Sequence, residues 1–182
     1  MTAPELIRQT NTDEIQAEMP DVTVRLFADE DYDEFAHLVK KDQSYLRARS
    51  YGLDPMGIVT WAEDIKDGSP LSGVRIMMVR KGNAIAGCIV LGSEDENTEN
   101  ISCFVGKDYM QTGIISSAVK AVIENENRNG KDITANVKSD NIRSLKLLAR
   151  TGFKHSRWNR EYSEDIYIKK ASDTPTSPPD HI

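Results

Sequence analysis

Residues 101–123 constrain this chain more than any other stretch. A strand-like run, Ile101-Ser102-Cys103-Phe104-Val105, passes through the loop Gly106 to Gly113 into a helical pattern with Ile115, Ala118, Val119, Val122 and Ile123 on one face. The first N–H groups of a helix have no partner within it. Together with the positive end of the helix dipole they suit an anionic group, typically phosphate. Gly113 has no Cβ and lets the backbone come close to such a group. The same arrangement also serves as an ordinary strand–helix connection, so a second signal is needed.

The rest of the chain supplies a frame. With 182 residues it is long enough for one domain with a full core. Residues 1–20 are polar and lack strong periodicity, which predicts a flexible extension. Residues 171–182 hold three prolines among small polar residues, which predicts a disordered tail. The domain is expected over 21–170. Within it, Val22 to Phe27 reads as a strand and Asp29 as the cap of a helix carrying Tyr32, Phe35, Ala36 and Val39. A second short helix spans Ile58 to Ile65. Two strands, Val74 to Arg80 and Ala84 to Leu91, flank a Gly82-Asn83 hairpin turn, and a third, Thr98 to Val105, follows the acidic loop Glu94-Asp95-Glu96-Asn97. Helix 112–128 stops at Asn129-Gly130. A strand at Ile133 to Val137, a helix to Arg150, and strands Phe153 to Trp158 and Tyr162 to Ile168 complete the order β-α-α-β-β-β-α-β-α-β-β. Consecutive hairpin strands over 74–105 argue against an all-parallel nucleotide-binding sheet.

The second signal lies behind the loop. Val137, Asn141, Ser144 and Gly152-Phe153 form the pattern V-x-x-x-N-x-x-S-(x)7-G-F. With the V-G-K-x-Y run from Val105 to Tyr109, the T-G-F-K ending at Lys154, Val24-Arg25-Leu26, Asp29 and Tyr45-Leu46-Arg47, this resembles the GNAT superfamily of N-acetyltransferases over roughly residues 22–169. It is most similar to the branch that acetylates ribosomal-protein N-termini. The resemblance implies a mixed α/β fold: a mostly antiparallel, partly splayed seven-stranded sheet flanked by helices. It also implies acetyl-CoA as co-substrate and, as acceptor, a protein N-terminus or a small-molecule amine.

Roles follow residue by residue. The backbone amides of Gln111, Thr112, Gly113, Ile114 and Ile115, with Ser116, are expected to hold the pyrophosphate. The family pattern Q/R-x-x-G-x-G/A is broken here: Met110 stands at its first position and Ile115 at its last, with Gly113 alone in place. Phe104 and Val105 are expected to pair with the pantetheine amides, and a backbone N–H there to stabilise the oxyanion. Asn141 matches the asparagine that bonds the pantetheine arm; it is equally suited to cap the following helix. The tyrosine many relatives use as general acid is replaced by Leu148. Ser144 is the candidate for assisting the thiolate, with a second reading as a small packing residue. Glu99 or Asn100 occupies the position of the family's acidic group, and Glu99 is the candidate base if it is buried. Tyr45, Arg47, Tyr51 and Trp61 fall where the acceptor pocket is built; core packing explains Trp61 equally well.

Other classes are disfavoured. The formal charge of −6 argues against nonspecific nucleic-acid binding and suits a cationic substrate or, more simply, a soluble acidic surface. No apolar run reaches the ~20 residues of a membrane helix. Cys88 and Cys103 lack CxxC spacing and read as buried thiols in a cytoplasmic protein; His37, His155 and His181 show no metal-ligand spacing. The chain is compatible with a homodimer. The rival reading from another class is a degenerate domain that binds acyl-CoA or a protein partner without turnover.

Overall fold

The computed structural model describes residues 14–47, 54–68 and 72–173. Its centre is an eight-stranded sheet, ordered β1-β2-β3-β4-β5-β6-β8-β7. The strands are β1 (Ile15–Gln16), β2 (Val22–Leu26), β3 (Val74–Lys81), β4 (Ala84–Ser93), β5 (Thr98–Val105), β6 (Asp132–Val137), β7 (Lys154–Asn159) and β8 (Glu164–Lys169). Every pairing is antiparallel except β5 with β6. The helices are α1 (Tyr32–Lys41), α2 (Gln43–Arg47), α3 (Pro55–Lys66), α4 (Ile114–Arg128) and α5 (Ile142–Arg150).

Helices cover both faces, which explains the near-continuous apolar runs of β3 and β4. On one face Met77, Val79, Ile89 and Ile101 meet Ala118, Val119 and Val122 of α4 and Leu148 of α5. On the other, Ile76, Met78, Cys88 and Phe104 meet Phe35 and Val39 of α1 and Ile58 and Ala62 of α3. Phe35 and Phe104 stack with ring centroids 5.9 Å apart.

Four expectations are corrected. The sheet has eight strands, not seven, because Ile15 and Gln16 pair with Val24 and Thr23. Two paired residues show no periodicity a sequence can reveal. The segment expected to be a loose extension is thus tied down from residue 15, and Ala17 is buried. Asp29 caps nothing; it opens a short 3-10 turn, Asp29–Asp31. Asp31 is the structural residue there: almost fully buried, it takes Arg25 at 2.8 Å and Arg80 at 3.0 Å and accepts the Ala28 N–H at 2.9 Å. At the other end Ala171–Asp173 forms a 3-10 turn, held by the Ala171 N–H on Asp132 and by Lys154 on Asp173. The remainder of the expected tail lies outside the described residues.

Candidate active site

The site begins where the sheet stops being a sheet. β5 and β6 pair only at Thr98/Asp132, Glu99/Ile133 and Asn100/Thr134. Beyond Asn100, β5 stays with β4 as far as Val105/Gly87, and β6 stays with β8 as far as Val137/Asp165. Two parallel neighbours that follow different partners must splay.

Several contacts hold β5 to its side of the opening. A Cβ built on Gly87 would lie 2.3 Å from the Phe104 carbonyl oxygen, so β4 approaches β5 that closely only with glycine. The Gly106 N–H donates to the Ala86 carbonyl at 2.8 Å. The next amide, Lys107, donates to the buried carboxylate of Asp42 at 2.6 Å, and Lys41 pairs with Asp108. The C-terminal end of α1 therefore fixes the start of the loop. Since Gly106 turns its amide toward β4, strand alternation turns that of Val105 toward the opening.

The loop then delivers free donors. Gln111 adopts φ 59° and Gly113 φ 86°, both left-handed, so the chain reverses twice before α4. The Ile114 N–H reaches the Thr112 hydroxyl at 3.5 Å, and the Ser117 N–H bonds the Gly113 carbonyl at 3.0 Å. The amides of Gln111, Thr112, Gly113, Ile115 and Ser116 meet no acceptor among the described residues. Five free donors lie at the positive end of a fifteen-residue helix. Ile114 was expected among them; its side chain is buried and its amide already has a long bond. Ile115, the departure from the family pattern, packs its side chain against the core and leaves its amide at the surface of the loop. Met19 is an unforeseen neighbour: its amide donates to Ser117 Oγ at 2.9 Å and its methyl would lie 3.2 Å from a Cβ on Gly113.

Across the opening, Asn141 caps α5 through Oδ1, which accepts the Ser144 N–H at 3.2 Å. Its amide NH2 has no partner among the described residues, so capping leaves two donors available. Ser144 is half-buried and its hydroxyl has no partner there either. Leu148 is buried in the core, so α5 offers no acid at that position.

Glu99 lies on the far face of β5 from Asn100. It is buried on the α4 side of the sheet, where Arg75 Nη2 bonds it at 2.6 Å and Glu126 at 2.9 Å. Two carboxylates share one guanidinium as a structural cluster. Asn100, one residue on, faces the other way. Its Nδ2 donates to Thr134 Oγ1 at 3.1 Å, Asn136 Oδ1 at 3.3 Å and, weakly, Glu94 Oε1 at 3.4 Å. This carboxamide strip at the root of the opening went unnoticed in the sequence; the alternation of β5 and β6 was the signal for it.

The acceptor-pocket candidates are not all brought together. Tyr45 on α2 is half-buried against the core beside α1 and α3. Trp61 is 37% exposed on the outward side of α3, which excludes the core reading. Arg47 ends α2, but its side chain, like Tyr51, lies outside the described residues. Cys103 borders the opening on the α4 side; burial pushes its thiol up to about 12, and that of Cys88 well up. No cluster of potential metal ligands occurs among the described residues.

A sheet split between parallel strands, with a helix N-terminus of free amides at its mouth, is the architecture of an acyl-group transferase that lays a phosphate-bearing arm between strands. The sequence matches the acetyltransferase (GNAT) domain family over residues 21–154, and the chain belongs to that family. It is an acyltransferase that uses acetyl-CoA as co-substrate. No curated protein sequence matches it. Among solved structures it is similar to Mycobacterium smegmatis RimJ in complex with a CoA disulfide: TM-score 0.75 at 18% identity, covering 91% of this chain and 91% of that one. A ribosomal-protein-S5-alanine acetyltransferase from Vibrio fischeri gives TM-score 0.71 at 17% identity, covering 90% and 100%. The microcin C7 self-immunity acetyltransferase MccE, in complex with acetyl-CoA and AMP, gives 0.68 at 18% identity, covering 84% and 93%.

Proposed function

We propose that the chain acetylates the α-amine of a polypeptide N-terminus. Acetyl-CoA supplies the acetyl group as a thioester, which the neutral amine attacks directly in a ternary complex. The free amides from Gln111 to Ser116 hold the pyrophosphate, Val105 presents its amide to the developing oxyanion, and Asn141 donates to the pantetheine arm. Ser144 offers a hydroxyl to the leaving thiolate. A thiol of pKa ~8.5 leaves without a strong acid, consistent with Leu148 at the acid's usual place.

The observation that carries the choice of amine is the carboxamide strip. Asn100, Thr134 and Asn136 line the acceptor side of the opening, and Glu99 is bound to Arg75 on the opposite side. The carboxylate beside the strip, Glu94 at 3.4 Å from Asn100 Nδ2, is exposed and offers no buried base, so the amine must arrive neutral. An α-amine with pKa ~7.8 is neutral roughly a hundredfold or more of the time relative to a lysine-like amine of pKa ~10.4 near pH 7.5. The Vibrio fischeri neighbour is named as a ribosomal-protein-S5-alanine acetyltransferase, which agrees with this class.

The test is release of CoA thiol from acetyl-CoA with peptide N-termini, polyamines and aminoglycosides. Peptides are expected to lead, with a rate that rises across the α-amine pKa. Preferred turnover of polyamines or aminoglycosides overturns the choice. CoA binding with no turnover of any amine would favour the second reading, a domain that binds acyl-CoA without chemistry, which Leu148 motivates.

A further inference from the structure

The net charge of −6 conceals a division. Residues 131–170 hold ten Lys and Arg against five Asp and Glu, leaving 13 against 24 for the rest of the chain: +5 beside −11. Pairing cuts across this division: outside the stretch Lys40, Lys66, Lys107 and Arg128 bind no carboxylate among the described residues, and within it Lys154 binds Asp173. Arg25, Lys41, Arg75, Arg80, Lys81 and Lys120 all bind carboxylates. Arg143, Lys146, Arg150, Arg157 and Arg160 bind none among the described residues.

One of these unpaired cations, Arg157, lies in line with the acceptor strip, and Lys154, paired with Asp173, lies in the neighbouring row. β7 is the edge strand, bonded to β8 alone, and all but its last residue are exposed. The register sets Asn136 opposite Ile166 and Ile166 opposite Arg157, and likewise Thr134, Ile168 and Lys154. Cross-strand partners share a face, so two rows of side chains run from the opening to the edge. A bulge between His155 and Arg157 puts Arg157 in its row. Arg160 and the 60% exposed Tyr162 follow in the β7–β8 turn.

We infer that the β7 edge and its turn are a docking surface for an acidic segment of the polypeptide whose N-terminus is acetylated. The inference rests on the N-terminal acetylation reading above. β7 lies two strand spacings from β6, about 10 Å, which an extended chain crosses in about three residues. The acceptor thus carries its acidic run from roughly the fourth residue on. A polypeptide fits better than a nucleic acid: β7 offers a free backbone edge for strand addition, and the −11 of the remaining chain opposes a long polyanion.

The test uses two peptides with the same three uncharged N-terminal residues, one continuing in four glutamates and the other in four glutamines. The glutamate peptide is expected to show a kcat/KM at least about tenfold higher, a ratio that shrinks as salt rises from about 0.05 to 0.5 M. In the double variant Arg157→Glu/Arg160→Glu the ratio should fall to one or below. Both side chains lack partners, so folding is not at stake; a thermal melt confirms it, and Arg157→Gln should give an intermediate ratio. Equal kcat/KM in the parent, a ratio that survives charge reversal, or tighter binding of a single-stranded RNA of matched charge overturns the inference. Anisotropy with the CoA-loaded protein separates the two levels. Reversal-sensitive binding of the glutamate peptide without acetylation of either peptide keeps the surface and removes the N-terminal acetylation reading. Equal acetylation of both peptides does the opposite.

Discussion

The two sides of the β5/β6 opening are built by different means. The cofactor side is backbone: a strand edge, two left-handed residues and five free amides. The side proposed for the acceptor is side chains: Asn100, Thr134 and Asn136, then the rows that lead to Arg157 and Lys154. A backbone site tolerates side-chain change, which is why Met110 and Ile115 stand where the family has other residues and the donors remain. A side-chain site changes its choice of partner with every substitution. Binding of acetyl-CoA is thus a property of the fold, and selection of the amine a property of this chain.

The most damaging single change should be Arg75→Ala. It leaves Glu99 and Glu126 buried without their cation, a loss of about 3–5 kcal/mol by analogy with broken buried pairs. Denaturant melts measure it, and adding Glu99→Gln should restore part of the loss. Glu99→Gln alone should keep the parental pH–rate profile. A profile that loses its acidic limb, the one a general base sets, would return Glu99 to the role of base and dissolve the distinction between the two sides.

Next in size is Gly113→Glu. At φ 86° any side chain is strained, and this one sets a carboxylate where five free amides lie. CoA at a hundredfold over its dissociation constant should stabilise the parent by about 2.7 kcal/mol and the variant hardly at all. Unchanged CoA affinity in a folded variant would mean that the phosphate site lies elsewhere.

The same contrast decides what the sequence makes legible. The order of elements from Val22 to Lys169 follows from periodicity, the short α2 excepted, and Gly113 from its place in the loop; Asn141 and Ser144 became candidates through the family resemblance. β1 did not follow, since a two-residue strand is made by backbone pairing alone. Nor did the direction of Glu99. Its neighbour in sequence, Asn100, faces Thr134 and Asn136, and only the register of β5 against Arg75 and Glu126 tells the two apart. Asp31 likewise reads as one of several acids until Arg25 and Arg80 converge on it from different strands. The basic edge was hidden by summing charge over the whole chain. Chemistry carried by adjacent residues is readable; chemistry assembled across strands is not.

A smaller effect is expected at Ser144, whose hydroxyl has no partner among the described residues. If its hydroxyl assists the thiolate, Ser144→Ala should lower kcat about ten- to a hundredfold, the worth of one hydrogen bond to a charged group at roughly 1.5–3 kcal/mol, with CoA affinity nearly intact. The Asn141 cap accepts the Ser144 backbone N–H, which alanine retains. A drop in CoA affinity without a change in kcat would make Ser144 a packing residue instead.

The smallest effect belongs to the acceptor side and comes with acid. Asp165 lies on β8 beside the basic edge, where the Ser139 hydroxyl and then His155 hold its carboxyl below the usual carboxylate range. A depressed acid favours the folded state above its unfolded pKa and loses that contribution as pH falls through its lower, folded value. The window therefore opens near pH 4, where a free aspartate protonates, and extends below it. Asp165→Asn should melt slightly below the parent at neutral pH and converge with it as the pH drops through that window. Because the group is open to solvent, the difference should be small beside that of Arg75→Ala and should shrink in salt. If the variant instead shows a large loss at neutral pH, the β7–β8 hairpin depends on the hydrogen bonds of Asp165 for its position. Arg157 would then owe its place in the row to side-chain electrostatics and not to the register of the sheet.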